Sequence, residues 1–232
     1  MANENFAYEG SELELFAGAK NWRDYWTSLI QPFLGLRVLE VGAGIGSATR
    51  ILGRPGTRWC ALEPDPALAR RIDINDSRMD LEVIVGTLAD VQRGEKFDSV
   101  LYIDVLEHIE DDRVEVESAS QLLAKGGRLI ILGPAHKWLY TEFDASIGHY
   151  RRYSRSELRS LKPGGFTEVA SGYLDSVGIL ASCANKLLLR SALPSRRQIH
   201  IWDRMMVPAS RYLDRLTFRT LGKSVYMVWQ KS

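Results

Sequence analysis

The segment Val38-Leu-Glu-Val-Gly-Ala-Gly-Ile-Gly46 constrains this chain more than any other. A short apolar run leads directly into glycines at 42, 44 and 46, and an acid, Glu40, stands two residues before the first of them. Glycine adopts left-handed backbone at no steric cost, so a strand that ends this way can turn tightly and present bare peptide groups. Ser47-Ala-Thr-Arg-Ile-Leu52 then reads as the start of a helix. A buried strand, a glycine turn and a helix N-terminus make a nucleotide-type pocket with N–H groups pointing inward.

The rest of the chain repeats the alternation. Strands are predicted at Arg37–Val41, Arg58–Glu63, Leu81–Val85, Phe97–Ile103, Arg128–Gly133, Phe166–Tyr173 and Ser224–Trp229. Helical patterns lie between them, which is the signature of a parallel sheet wound by helices. Val100-Leu-Tyr-Ile103 is continuously apolar, as a strand covered on both faces should be. Helix starts are marked by Asp65-Pro66 and by capping-box spacings at Ser11–Glu14 and Ser154–Glu157. Asp111 or Asp112 should open a helix that ends near Lys125-Gly126-Gly127. Before the first strand, residues 19–33 carry Trp22, Tyr25, Trp26, Leu29 and Phe33 at the spacing of an amphipathic helix. About fifty residues separate the last two strands, a long connection. Its second predicted helix, Trp202 to Arg219, puts Met205, Tyr212, Leu213 and Leu216 near one face, and Pro208 should kink or split it.

A dinucleotide fingerprint, G-x-G-x-x-G, would need its last glycine where Ser47 stands. The observed E-x-G-x-G-x-G instead resembles the first motif of class I S-adenosylmethionine-dependent methyltransferases. The resemblance continues in order through Ala61-Leu-Glu-Pro-Asp65, Gly86-Thr-Leu-Ala-Asp90, Phe97–Asp104 with Val105-Leu-Glu-His-Ile109, and Leu122–Leu132. It spans roughly Val38 to Pro134. It implies a Rossmann-like three-layer α/β sandwich. The sheet would be seven-stranded and mostly parallel with an antiparallel last strand, plus an N-terminal helix and a helical insertion at about 176–220. One domain, 1–232, is expected: a cap helix at 19–33, a cofactor-binding half at 34–134 and a substrate-side half at 135–232.

The resemblance also implies a cofactor, S-adenosylmethionine, with S-adenosylhomocysteine as product. It assigns cofactor contacts to Glu40, Gly42, Ala43, Gly44, Gly46, Glu63, Pro64, Thr87, Leu88, Asp104 and Val105. Glu63 would hold the ribose hydroxyls, since a carboxylate offers two acceptor oxygens. Thr87 stands where members of the family often carry an acid. Asp104 caps the next helix or lines the pocket. The implied activity is methyl transfer to an O or N atom of a small or lipid-linked metabolite. The alternatives are an NAD(P)-dependent oxidoreductase and a cofactor-binding module without transfer activity.

His108 and His136 follow the fourth and fifth strands, and His149 lies in Gly148-His-Tyr-Arg-Arg-Tyr-Ser154. Ligands in such sheets sit beyond the carboxyl ends of the strands. These three histidines are therefore the candidate bases, and imidazole titrates near neutrality. Trp22, Tyr25, Tyr140, Tyr150, Arg151 and Arg152 are the candidate substrate contacts. The arginines either bind an anionic group or pair with Asp144 and Glu142. The stretch around Gly148 resembles a bacterial subgroup of these methyltransferases, some associated with envelope-sugar glycosyltransferases. No resident metal is expected, although Asp104-x-x-Glu107-His108 resembles, in spacing only, the acid/acid/His group of some metal-dependent relatives.

The net charge of +1 over 232 residues gives no chain-wide attraction to nucleic acid. An Asn/Asp-Pro-Pro-aromatic motif is absent as well, so no nucleic-acid partner is expected. Charge is uneven, however: residues 186–223 hold nine Lys/Arg against two Asp. That stretch caps the substrate site, touches a membrane surface peripherally, or packs as core or in self-association. Either a monomer or a homodimer fits. Cys60 and Cys183 read as two buried reduced thiols, and with no secretory signal the expected location is cytoplasmic. The apolar tract Val177–Leu193 contains Asn185, Lys186 and Arg190 and is too short and polar for a membrane span.

Overall fold

The β-rich runs at the centre of the sheet form strands because nearly every residue in them is buried. In a computed structural model that describes residues 14, 16, 18–74, 78–92, 94–184 and 195–232, the first strands are β1 (Arg37–Val41), β2 (Arg58–Glu63) and β3 (Asp80–Val85). They are followed by β4 (Phe97–Ile103), β5 (Leu123–Pro134), β6 (Phe166–Leu174) and β7 (Ser224–Lys231). All seven join one sheet in the order β3-β2-β1-β4-β5-β7-β6. The pairs among β1 to β5 are parallel, and β7 runs antiparallel to both β5 and β6. The expected α/β sandwich with an antiparallel last strand is therefore observed. Its strand order reverses at β1, so the turn after β1 opens into the crevice that such reversals create.

The helices of the first half are α1 (Lys20–Ile30), α2 (Ser47–Leu52), α3 (Pro66–Ala69) and α4 (Asp112–Gln121). Beyond them lie α5 (Glu142–Ser146), α6 (Arg155–Ser160), α7 (Gly178–Ala184), α8 (Arg196–Ile201) and α9 (Val207–Leu216). Asp65 caps α3 by accepting from the Ala67 N–H at 2.6 Å, and Ser154 and Glu157 form the expected capping box on α6. The box expected at Ser11–Glu14 involves residues outside those described.

One cluster on each face of the sheet makes the core. Trp59 and Trp229 are wholly buried within it. A large apolar side chain removed from water in this way contributes roughly 1.5–3 kcal/mol.

Two expectations about helices need correction. The helix opened by Asp111 stops at Gln121, and Leu123 already pairs with Phe97 in the sheet. Lys125-Gly126-Gly127 is a bulge inside β5, not a helix stop, and Gly126 has φ +77°. Between α8 and α9 the chain makes one π-helical turn, Trp202–Met206. It lies just before Pro208, whose missing N–H cannot close an ordinary helical hydrogen bond.

The long connection is also inverted relative to its sequence pattern. Met205, Tyr212, Leu213 and Leu216 face water, while Asp203, Ser210 and Asp214 face inward. Asp203 accepts from the Trp22 N–H (2.9 Å), and Asp214 accepts from the Tyr25 hydroxyl (2.8 Å) and the Asp175 N–H (2.7 Å). These carboxylates fasten α9 and the π turn to α1 and the end of β6. Among the described residues no helix is long and apolar enough to cross a membrane. Cys60 is buried as expected, but Cys183 is only half-buried.

Candidate active site

The three glycines after β1 all take left-handed backbone, with φ +67° at Gly42, +57° at Gly44 and +74° at Gly46. A Cβ on Gly42 would lie 2.6 Å from Val105, so this turn can be built only with glycine there. Val105 therefore reaches the turn from the loop after β4. The Gly42 and Ala43 N–H groups both donate to the Leu62 carbonyl (2.8 and 3.0 Å), stitching the turn to β2.

Glu63, the last residue of β2, is 5% exposed. One carboxylate oxygen accepts from the Gly44 N–H (2.7 Å) and the other from the Asp65 N–H (2.9 Å). Burial raises its pKa, and those two amides pull it back down. Each oxygen keeps a further acceptor lobe. Pro64 continues the same turn and is half-buried.

Glu40 sits beneath the glycine turn. Its Oε2 accepts from Thr49 (2.5 Å) and from the Trp59 indole (2.8 Å), so it ties α2 and β2 to β1. Burial pushes its carboxyl up to about 7. After β3, Asp90 accepts from the Thr87 N–H (2.8 Å). Asp90 thereby closes a capping box on this short turn, with Thr87 exposed and Leu88 half-buried.

Three strands end on strained residues at the same edge of the sheet. Asp104 after β4, His136 after β5 and Asp175 after β6 have φ of +53°, +63° and +64°. Left-handed backbone in non-glycine residues is costly and persists where surrounding structure enforces it. Asp104 keeps water access, yet the protein around it raises its pKa, opposed by the nearby His149, Lys223 and Arg152. Lys223 in turn lies 3.5 Å from the buried Asp175 carboxylate and 3.8 Å above the Trp202 ring.

The Gly148–Ser154 segment runs against this edge. The Tyr150 N–H donates to the Glu107 carbonyl (2.8 Å), and the His136 N–H donates to the Tyr153 carbonyl (3.0 Å). Asp144 is fully buried and receives Thr141, His149 Nδ1 (3.0 Å) and a two-pronged Arg152 guanidinium (2.8 and 3.0 Å). These donors overcome its burial and hold its carboxyl at about 2. Arg151 pairs with Asp112 at 2.6 Å. Arg152 therefore takes the expected partner, whereas Arg151 takes Asp112 in place of Glu142.

Tyr140, Tyr150, Arg151 and Arg152 line one cleft of about 630 Å³ with Lys137, bringing four of the six expected substrate contacts together. The other two are elsewhere: Trp22 and Tyr25 are buried beneath α9, with Tyr25 only 1% exposed. Their surfaces are spent on packing, which corrects the expectation of a substrate role. A larger depression of about 930 Å³ lies at the opposite end of the strands, around Arg37, Arg58 and Leu123, away from the glycine turn.

His108 and His149 meet edge to face, with ring centroids 4.5 Å apart. Burial lowers the His108 pKa to about 4, and His149 beside it adds to the shift. His136 stacks on Tyr173 at 4.7 Å, and burial lowers its pKa too. Glu107 is wholly buried; among the described residues neither of its carboxylate oxygens has a hydrogen-bond partner, His149 Nε2 lies 3.8 Å away, and burial holds its pKa well above the usual range. Glu107, His108 and His149 each bring a donor atom within 4.8 Å of the others, a spacing that admits a cation. His149 enters this group from forty residues downstream, where local spacing could not find it. Asp175, Lys223 and Tyr173 escaped sequence reasoning too, because nothing in their local pattern marks them.

A doubly wound sheet with a glycine turn at its reversal and a carboxylate ending the next strand defines a Rossmann-like nucleotide-binding class. Within that class, the model of the methyltransferase-domain family matches residues 18–169, and the chain belongs to that family. It is 30% identical over 104 residues to a ubiquinone biosynthesis O-methyltransferase of Xylella fastidiosa, covering 43% of this chain and 42% of that protein. It is 33% identical over 115 residues to the mitochondrial ubiquinone biosynthesis O-methyltransferase of Homo sapiens, covering 44% and 29%. The matches thus span less than half the length of these curated relatives. The fold resembles that of magnesium protoporphyrin IX methyltransferase from Synechocystis PCC 6803 with bound SAH (TM-score 0.59, 16% identity, 100% of this chain and 90% of that one).

Proposed function

We propose that this chain binds S-adenosylmethionine and moves its methyl group to an oxygen or nitrogen of a small or lipid-linked metabolite. The observation that carries this reading is the left-handed glycine turn tied to Glu63 by the Gly44 amide. The turn fits the cofactor, since it presents backbone at close range where a side chain could not be built. Gly42 to Gly46 would receive the amino-acid portion, Glu63 the ribose diol, and Thr87 and Leu88 the adenine, with Asp104 and Val105 closing the floor. When bound, the cofactor supplies a methyl group already activated by its sulfonium.

The chain's own task is then alignment, which can supply roughly 7–11 kcal/mol of barrier reduction. A base adds about 10²–10⁴-fold where the acceptor must lose a proton. Of the three histidines, His149 is the best oriented for that work. Its Nδ1 is held by Asp144, which Arg152 fixes in turn, while Nε2 lies 3.8 Å from Glu107 Oε1, so the ring is oriented from both sides. His136 and His108 shape the walls of the same edge, and the cleft of Tyr140, Tyr150 and Arg152 would receive the acceptor. The free Cys60 and Cys183 thiols accord with a reducing, cytoplasmic setting.

The test is titration calorimetry with S-adenosylhomocysteine and with NAD, followed by methyl transfer from labelled cofactor to a panel of phenols, amines and lipid-linked sugars. Saturable binding of the thioether with transfer to one acceptor class is expected. Binding of NAD alone would favour the oxidoreductase, and thioether binding without transfer to any acceptor would favour a binding module.

A further inference from the structure

From the outer face of the π turn and α9 we infer a second, separate binding surface: a docking face for an anionic lipid bilayer. The helices here bury Ile199, Trp202 and Val207 together with Asp203, Ser210 and Asp214, yet leave a second set of apolar residues outward. Met205 (69% exposed), Tyr212 (67%), Leu216 (59%) and Phe218 (85%) lie along one outer side. Arg197, Arg204 and Arg215 are exposed beside them.

The two acids of this stretch do not balance those cations. Asp203 and Asp214 are buried and spent on α1 and the end of β6. The exposed charge of residues 195–223 is therefore all positive. An apolar stripe flanked by arginines matches the composition of helices that lie in a bilayer interface, where each basic residue near anionic lipid is worth about 1 kcal/mol.

Phe218 is the second observation. It and Arg219 both have left-handed backbone, with φ of +52° and +53°. A bulky side chain in that region is strained. The turn is held nonetheless: the Arg219 N–H donates to the Asp214 carbonyl (2.7 Å), and the Tyr173 N–H donates to the Arg219 carbonyl (2.9 Å). The fold thus bears strain to hold an aromatic ring out in water, at the tip of the apolar stripe. Insertion of that ring into lipid gives the strain a use. A second copy of the chain would need acids opposite the arginines, and the described residues 195–223 expose none. The inner side of the same helices packs on Lys223 through Trp202, and Lys223 pairs with Asp175 at the strand edge that also carries Asp104, so a docked face would set the candidate active site near the membrane surface.

The experiment is co-sedimentation of the whole chain with vesicles of equal parts phosphatidylglycerol and phosphatidylcholine, and with phosphatidylcholine alone. Binding to the anionic vesicles that salt reverses is expected, with little binding to the neutral ones. The pair Leu216→Ser with Phe218→Asn should lower that binding roughly tenfold or more, as should Arg204→Gln with Arg215→Gln. Asparagine tolerates left-handed backbone, so the first pair leaves the turn buildable. Circular dichroism and an unchanged S-adenosylhomocysteine affinity serve as controls for folding. Equal binding to both vesicles, or full binding by either pair of substitutions, would overturn the inference. So would a dimer in solution that the same substitutions dissociate, with no vesicle binding by the parent. A chain that ignores the thioether yet binds anionic vesicles would sink only the methyl-transfer reading.

Discussion

At Gly42 two demands coincide: a left-handed backbone and no room for a methyl group before Val105. Gly42→Ala should destabilise the chain by roughly 1–3 kcal/mol, measured by urea unfolding, and Val105→Ala in the same chain should recover only the steric part. Glu63→Ala should weaken S-adenosylhomocysteine binding by roughly 1.5–3 kcal/mol in calorimetry, through lost charge-assisted hydrogen bonds. Unchanged affinity in a folded variant would reject the ribose assignment. Glu40 makes a pH prediction. Its folded pKa of about 7 lies above its unfolded value near 4.5, so its favourable contribution is present below that value and fades as pH rises through about 7. Glutamine keeps an acceptor for Thr49 and Trp59 but cannot ionise. Glu40→Gln should therefore lose less stability than the parent between about pH 5 and about pH 8, by on the order of 3 kcal/mol. Parallel stability curves for the two proteins would refute the shift. His108 acts in the opposite sense: with a folded pKa near 4, its contribution is present above about 6.5 and declines as pH falls, in both proteins alike. Gly42 and Glu63 were legible in the sequence because their roles follow from a local pattern. Asp175 and Lys223 were not, because each acquires its role from a partner brought in by the fold.

At the scale of elements, the strands and the presence of the helical insertion were legible, but which side of its last helix is buried was not. Five strands, β1 to β4 and β6, begin and end within a residue of their predicted bounds, since turn residues bracket each short run of strand-forming side chains. The last helix misleads because Met205, Tyr212, Leu213 and Leu216 face out while Trp202 and Val207 go in, and a periodic apolar stripe is ordinarily read as the buried side. What fastens the insertion is carboxylate chemistry. Asp214 serves the Tyr25 hydroxyl and the N–H groups of Asp175 and Ser176 (2.8, 2.7 and 3.1 Å). Removing it strands two buried donors and a part-buried third, and each buried one costs roughly 1–3 kcal/mol when unsatisfied. Asp214→Ala should therefore lower stability by at least about 3 kcal/mol in denaturant unfolding, whereas Leu213→Ala one residue earlier, on the exposed side, should stay within about 0.5 kcal/mol. Similar costs for both would mean that the helix is held by something other than its buried acid.

For the molecule as a whole, the sheet order decides where chemistry can happen. Reversal at β1 opens one crevice, and β4, β5 and β6 all deliver their strained terminal residues to that same edge. The Gly148–Ser154 segment and Lys223 close it from the far half of the chain. A ligand seated on the glycine turn would thus touch segments from β1 through β4, and its binding energy would be felt as global stability. A ligand that binds only the folded state adds about 2.7 kcal/mol at a concentration one hundred times its dissociation constant. For a chain of this size that corresponds to an upward shift of roughly 5–10 °C in melting temperature. S-adenosylhomocysteine should produce that shift and NAD should not, because the position that would carry the last glycine of a dinucleotide fingerprint is Ser47, already inside α2. Glu63→Ala should shrink the shift in proportion to its loss of affinity while leaving the Asp214 staple intact. A shift with NAD alone, or one that Glu63→Ala leaves whole, would move the ligand off the glycine turn and out of this crevice.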